Sequence, residues 1–289
     1  VASTQQLKSR IRSVKSTKQI TKAMQMVAAS KMRRAQEAVK ASGAYTQAAN
    51  ELLTYFASQG VTDRHPFFQE RNIKARLLIV VAADKGLAGA YNSNVVKAYI
   101  RELQSDKKIG VKTKSIAVGR KAAQIVTRIN HADMVGVYEN LPDQPGANEL
   151  QAILDTAIAK FESGEVDAVD VIYTKFISGM NQQTTVQRIL PAGFEETEVS
   201  AAIGSALYEP SAEEVLNGVS YRLVSSQIFQ ALLDARASEH SMRMLAMKNA
   251  TDNASELADD LTLEMNKARQ SAITQELAEI SGGVEALSD

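Results

Sequence analysis

Residues 77–94 read LLIVVAADKGLAGAYNSN: an apolar run from Leu77 to Ala83, a turn holding Gly86 and Gly89, then polar residues that open a helical pattern. A buried strand that passes through a glycine turn into a helix is the starting unit of an α/β sheet, and the same arrangement serves many phosphate sites. A P-loop requires G-x-x-x-x-G-K-[ST] and a dinucleotide site requires G-x-G-x-x-G. Gly86-Leu-Ala-Gly89-Ala-Tyr fits neither, and Lys85 precedes the first glycine instead of following the second. The turn is therefore read as chain geometry, with Asn92 or Ser93 capping the next helix.

Working outward, β-rich runs at about 76–82, 113–118, 133–138, 166–174 and 182–190 alternate with helical patterns at about 92–105, 120–130 and 147–162. This order predicts an α/β domain with a largely parallel sheet, in which the last two runs, joined by FISGMN, form a hairpin that adds an antiparallel strand. Beyond the domain the period changes. No Gly or Pro precedes Gly43, and Leu7, Ile11, Val14, Ile20, Met24 and Val27 recur at mostly three- and four-residue steps, the narrow seam of a coiled coil. This helix is expected to reach about Ser58. From Val219 to Ser281 there is again no Gly or Pro, and Ala250, Ala254, Leu257, Leu261, Met265, Ala268 and Ala272 form a second seam, with Gly282 and Gly283 as its stop.

Charge joins the two ends. Residues 1–40 carry ten Lys or Arg against Glu37 alone, whereas residues 209–289 carry six basic and fourteen acidic side chains. The ends are thus near +9 and −8 in a chain whose 33 basic and 33 acidic residues cancel. Opposite charge favours pairing of the two helices with each other as an antiparallel coiled coil, with the α/β domain at one end. The basic helix could also neutralise nucleic-acid phosphates, but its first aromatic residue is Tyr45, so no stacking platform is interleaved with the charges.

Several chemistries are excluded or unsupported. The absence of cysteine removes disulfides, thiolates and Cys-ligated zinc. His65, His131 and His240 are far apart and lack metal-ligand partners at helical spacing. There is no Ser-His-Asp spacing, no HExxH and no acidic metal cluster, and Asp259 and Asp260 read as a solvated helix face. No cofactor is expected. The longest apolar run is far below the ~20 residues of a membrane span, and the basic start has no signal-peptide character.

Three further blocks carry a resemblance: IRSVKSTKQITKAMQMVAASKMRRAQ near the start, DKGLAGAYNSNV in the centre, and EHSMRMLAMKNATDNASEL with NKARQSAITQELAEISGG near the end. They resemble the gamma subunits of F-type ATP synthases. The resemblance implies a long antiparallel coiled coil of N- and C-terminal helices (1–58 and 209–285) plus a Rossmann-like central α/β domain (75–193). It implies a rotor without a catalytic site of its own, present in one copy and turning inside a hexamer of alpha and beta subunits. The central domain would meet the epsilon subunit and the membrane c-ring, at the cytoplasmic face of a bacterial cell membrane and without inserting into it. It maps beta-subunit contacts onto Met24, Arg269, Gln270, Thr274 and Glu276, and a foot near the c-ring or epsilon onto Tyr208 and Glu209. Many members have Cys where this chain has Ala88, so thiol regulation is not expected. The reading from another class is a nucleotide-binding α/β enzyme with a helical oligomerisation arm.

Overall fold

A computed structural model describes the chain except for residues 1–3, 130–132, 144–146, 195, 201–202, 204–205, 207 and 289. The elements are α1 (Thr4–Ser58), β1 (Ala75–Val81), α2 (Tyr91–Ile109), β2 (Lys112–Val118), α3 (Arg120–Arg128), β3 (Asp133–Tyr138), α4 (Ala147–Glu162), β4 (Ala168–Phe176), β5 (Gln182–Leu190) and α5 (Ala212–Ser288), with a 3-10 turn at Thr62–Arg64. They divide into two compact units, Val1–Val27 with Met244–Asp289, and Ala28–Arg243.

In the larger unit the strands lie in the order β3-β2-β1-β4-β5. The first four are parallel, and β5 pairs antiparallel with β4 as a hairpin, as expected from the sequence. Successive side chains of a strand point to opposite faces, and β1 divides accordingly. Leu77, Ile79 and Val81 enter one core with Phe161 of α4, Leu53 and Phe56 of α1, and Leu223, Val224 and Ile228 of α5. Leu78 and Val80 enter the other with Val95 and Tyr99 of α2 and Val126 of α3. The near-continuous apolar run at 77–83 is what a strand buried on both faces requires. The two terminal helices thus contribute to the core of the α/β body as well as to each other.

In the smaller unit α1 and α5 run antiparallel. Leu7 and Ile11 pack with Leu261, flanked by Val14, Met265 and Ala268, and the Thr21 and Thr251 hydroxyls lie 2.7 Å apart. The seams differ from the expected ones. Ile20 and Val27 are 58% and 56% exposed, and Thr21 is buried beside Ile20, as is Ala28, the first residue of the larger unit, beside Val27. On α5, Leu257 is 46% exposed and Ala258 is buried in its place. A reading by residue type picks the larger apolar side chain, while the helical repeat from Leu7 through Val14 to Thr21 and Ala28 keeps a strict seven-residue period. Gly282 and Gly283 do not stop α5, which runs to Ser288 and begins at Ala212, before Gly218. Each interior glycine costs a helix about 1 kcal/mol, which a helix of this length tolerates.

Gly119, between β2 and α3, has φ +91° and lies against the end of β1, where an added Cβ would stand 2.1 Å from the Ala82 carbonyl oxygen. The Gly119→Ala variant is expected to lose at least about 3 kcal/mol through backbone strain and overlap. Chemical denaturation checks this, and a loss below about 1 kcal/mol would contradict the packing of the turn.

Candidate functional site

In an open α/β sheet, ligands bind in the crevice outside the carboxyl ends of the strands, where the strand order reverses. Here that point lies between β1 and β4, and the glycine turn leads out of β1 beside it. The turn is built differently from a phosphate loop. Gly89 (φ 55°) and the non-glycine Leu87 (φ 60°) take the left-handed conformation. Helix α2 starts at Tyr91 with Ala90 at its N-cap and no side-chain cap. Asn92, expected as a cap, instead accepts the Ala83 N–H with its Oδ1 at 3.0 Å, because the turn needs that bond more than the helix end does.

The group at the mouth of the crevice is an acid. Asp84 Oδ1 accepts the backbone N–H groups of Arg120 and Asn140, each at 3.0 Å, so one carboxylate draws together the chain leaving β1, β2 and β3. Its partial burial opposes ionisation, but those two N–H groups and the Arg236 guanidinium outweigh it and hold the carboxyl below its ordinary range. Opposite it, α5 fills the crevice. Arg236 NH2 lies 3.5 Å from Asp84 Oδ2 and donates to the Leu141 carbonyl at 2.9 Å, while NH1 donates to Glu239 at 2.9 Å. Arg243 donates to the other Glu239 oxygen at 2.8 Å and to the Gly86 carbonyl at 3.3 Å. His240 Nε2 meets Asp143 Oδ1 at 3.1 Å, and the Lys31 ammonium of α1 lies 2.9 Å from Asp143 Oδ2. On the β4–β5 side, the Ser238 hydroxyl donates to the Thr174 carbonyl at 2.9 Å and Ser241 to the Gly179 carbonyl at 2.7 Å.

What remains of the crevice between Tyr91, Leu141 and Arg236 is a cavity of about 10 Å³, room for at most one water. A carboxylate at its mouth repels phosphate, and the α5 cations beside it, Arg236 and Arg243, are already paired with Glu239. A roomier hollow of about 960 Å³ lies by β5, between Phe68, Phe194, Leu223 and Gln227. Its cation, Arg188, is engaged by Asp170. Among the described residues no three His, Cys, Asp or Glu side chains are grouped to hold a metal ion. Of the histidines, His65 pairs with Asn217 at 2.8 Å and His240 with Asp143, both in structural roles, and His131 lies outside the described residues.

The contact residues carried over from the resemblance lie elsewhere. Arg269, Gln270, Thr274 and Glu276 are exposed on α5, where the Thr274 hydroxyl donates to the Gln270 carbonyl at 3.0 Å. Helical spacing puts Arg269 and Glu276 on one face. Met24 is half-buried on α1. Tyr208 is stacked on Tyr55 at 5.8 Å and its hydroxyl donates to the Ile203 carbonyl at 2.8 Å, while Glu209 is exposed. The polar cluster on α5 was not singled out from the sequence. Its only signal was the density of charge in ARASEHSMR, residues 235–243.

The comparisons agree with one another. A family model described as ATP synthase matches residues 3–287. The ATP synthase gamma chain of Cupriavidus pinatubonensis is 40% identical over 99% of this chain and 100% of its own, and that of Stenotrophomonas maltophilia is 38% identical with the same coverage. Among solved structures, a chain of the Euglena gracilis mitochondrial ATP synthase (OSCP/F1/c-ring) superposes with a TM-score of 0.65 at 20% identity, covering 98% of this chain and 94% of that one. A chain of the Tetrahymena thermophila mitochondrial ATP synthase central stalk/c-ring superposes at 0.60 with 23% identity, covering 80% and 99%.

Two residues before Arg236, Asp234 is buried, and burial pushes its carboxyl up to about 6 against the pull of Lys175 and Gln230. The folded state therefore holds this proton where the unfolded chain has released it, so the stability it carries is present below the unfolded value of 3.8 and lost as pH rises through about 6. The buried His240 acts in the opposite sense, since burial lowers its pKa below 6.5 and its contribution is lost as pH falls. Asp234→Asn is expected to stabilise the chain at pH 8 by up to about 3 kcal/mol, with no gain at pH 4. Thermal unfolding at the two pH values checks this, and an equal gain at both would contradict it.

Proposed function

The chain belongs to the ATP synthase gamma-chain family, and we propose that it acts as the central rotor shaft of that complex, transmitting ion-driven rotation to the catalytic subunits and carrying no catalytic site of its own. The observation that carries this reading is the outward-facing apolar surface of the paired helices. Ile20, Met26 and Val27 of α1 and Leu257 and Leu263 of α5 are exposed on the pair, and Ile273, Leu277 and Ile280 are exposed on the stretch of α5 beyond its contacts with the start of α1. A helix pair that has satisfied its own seam and still presents large apolar side chains fits a surrounding sleeve, here a hexamer of alpha and beta subunits. The crevice closed by Arg236 leaves nucleotide to those subunits.

The coupling principle is differential contact. A shaft that offers each of three catalytic subunits a different face favours a different conformation in each, and rotation exchanges those preferences. In this reading Met24, Arg269, Gln270, Thr274 and Glu276 touch beta subunits, and Tyr208 and Glu209 belong to a foot at the c-ring or epsilon subunit. The chain divides into two coiled-coil segments, 1–58 and 209–285, and a central domain, 75–193. One copy sits at the cytoplasmic face of a bacterial membrane, held by its partners. No described helix is long and apolar enough to cross a membrane.

The chain expressed with alpha and beta subunits is expected to co-purify as one large assembly, and equilibrium dialysis of the isolated chain against micromolar ATP to show no stoichiometric binding. Stoichiometric ATP binding would instead favour the nucleotide-binding enzyme with a helical arm. Replacing both Arg269 and Gln270 by alanine keeps good helix formers in place and removes a charge-assisted contact of about 1–3 kcal/mol. Coupled turnover and pumping are expected to fall at unchanged subunit content. Unchanged rates would assign coupling to the shape of the shaft alone.

A further inference from the structure

Torque that enters a rotor through its globular body must leave through its helices, and apolar packing is poorly suited to carry it, because the hydrophobic effect has no direction and lets surfaces slide. Hydrogen bonds and ion pairs are directional, and more so when removed from water. On α5 the buried polar groups concentrate in one short stretch. At about 100° per residue, Arg236, Glu239, His240 and Arg243 project to one side of the helix, while Ser238 and Ser241 project to the opposite side. The first group holds the 84–86 turn and the connection after β3, through the Gly86 and Leu141 carbonyls and Asp143. The second holds the Thr174 and Gly179 carbonyls of β4 and its hairpin. Glu239, His240 and both serines are buried. A helix gripped on opposite sides cannot roll about its own axis without breaking bonds on both.

We propose that residues 236–243 of α5 form the joint through which torque passes between the α/β body and the shaft, with Asp143 tying α1 into the same joint. The inference rests on the rotor reading above. Asp143 is the second element of the argument: one oxygen meets His240 of α5 at 3.1 Å and the other Lys31 of α1 at 2.9 Å, so a single carboxylate of the body holds both helices. His240 suits the place as a neutral ring, with Nε2–H donating to Asp143 and Nδ1 free to accept from Arg243 at 3.3 Å. The Lys31–Asp143 pair is partly exposed, at 42% and 45%. Such a pair adds little to stability. Its effect is on the angular stiffness of the joint.

The test uses the whole complex, with the alpha-beta hexamer immobilised, a probe fixed to the α/β body, and angular fluctuations recorded without ATP. Removing one of two opposed grips halves the directional restraint, so the Ser238→Ala/Ser241→Ala pair should raise the angular variance by about twofold, and Asp143→Ala, which removes the His240 and Lys31 ties but leaves the Leu141 and Gly86 bonds, should raise it by a smaller amount. Gradient-driven synthesis should fall more than unloaded hydrolysis. Adding Lys31→Ala to Asp143→Ala should cause no further change, because both remove the same tie. Leu223→Ala, a core change outside the joint, should lower the melting temperature and leave the variance at the wild-type value. Joint variants with wild-type variance, or a variance that merely follows loss of stability as Leu223→Ala would then show, overturn the proposal. A wild-type chain that fails to support synthesis in the complex would instead overturn the rotor reading.

Discussion

Arg236 stands in the crevice at the carboxyl ends of the strands, its guanidinium shared among Glu239, the Leu141 carbonyl and Asp84, and the rest of the α/β body is arranged around that occupancy. Burial disfavours its charge, yet the Glu239 and Asp84 carboxylates hold its pKa above the ordinary value. Removing one member of such a set would leave an unpaired buried charge, which is far more costly than the intact set is stabilising. The same arrangement that fills the crevice therefore fixes α5 against the sheet.

The Rossmann-like sheet is in this sense a scaffold put to mechanical use. Its β-α-β order is that of nucleotide-binding folds, but its glycine turn is built differently, and fold does not determine function. Asp84 gathers the ends of three strands where phosphate-binding amides would be needed, and Gly119 lets the second turn pass within contact distance of Ala82. The seams of the smaller unit follow similar logic. Thr21 and Ala258 are small, so the helices approach closely, and the larger Ile20, Val27 and Leu257 are turned outward. On the rotor reading these become bearing surface.

Much of the fold was legible in the sequence because it rests on short-range periodicity. The five strands are visible as short β-rich runs, the antiparallel hairpin in the FISGMN connection, and the end of α1 at Ser58 in the QGVTDRHP stretch that follows it. The misreadings have physical causes. Ile20, Val27 and Leu257 suit a seam by residue type, but type alone does not say which side of a helix faces its neighbour, and all three are turned outward. Gly282 and Gly283 were read as a stop although a long helix can pass through them, and Asn92 was read as a cap although the turn claims its side chain. The cluster around Arg236 was invisible for a different reason. Its partners lie 152 residues away at Asp84 and 97 away from His240 at Asp143, and nothing local marks such pairs. The residues near Arg269 that the resemblance assigns to partner contacts carry no signal of their own. On a lone helix they are an ordinary solvated face, and only the resemblance singled them out.

The central claim is that this chain turns as a unit inside a stationary hexamer. Because it contains no cysteine, a single one introduced at the exposed Lys108 of α2 gives a unique attachment point for a visible probe on the α/β body. With the alpha-beta hexamer fixed to a surface, the account predicts sustained rotation of the probe in one direction on addition of ATP, ceasing when ATP is removed. A probe that keeps a fixed angle while the same complexes hydrolyse ATP at their full rate would contradict it.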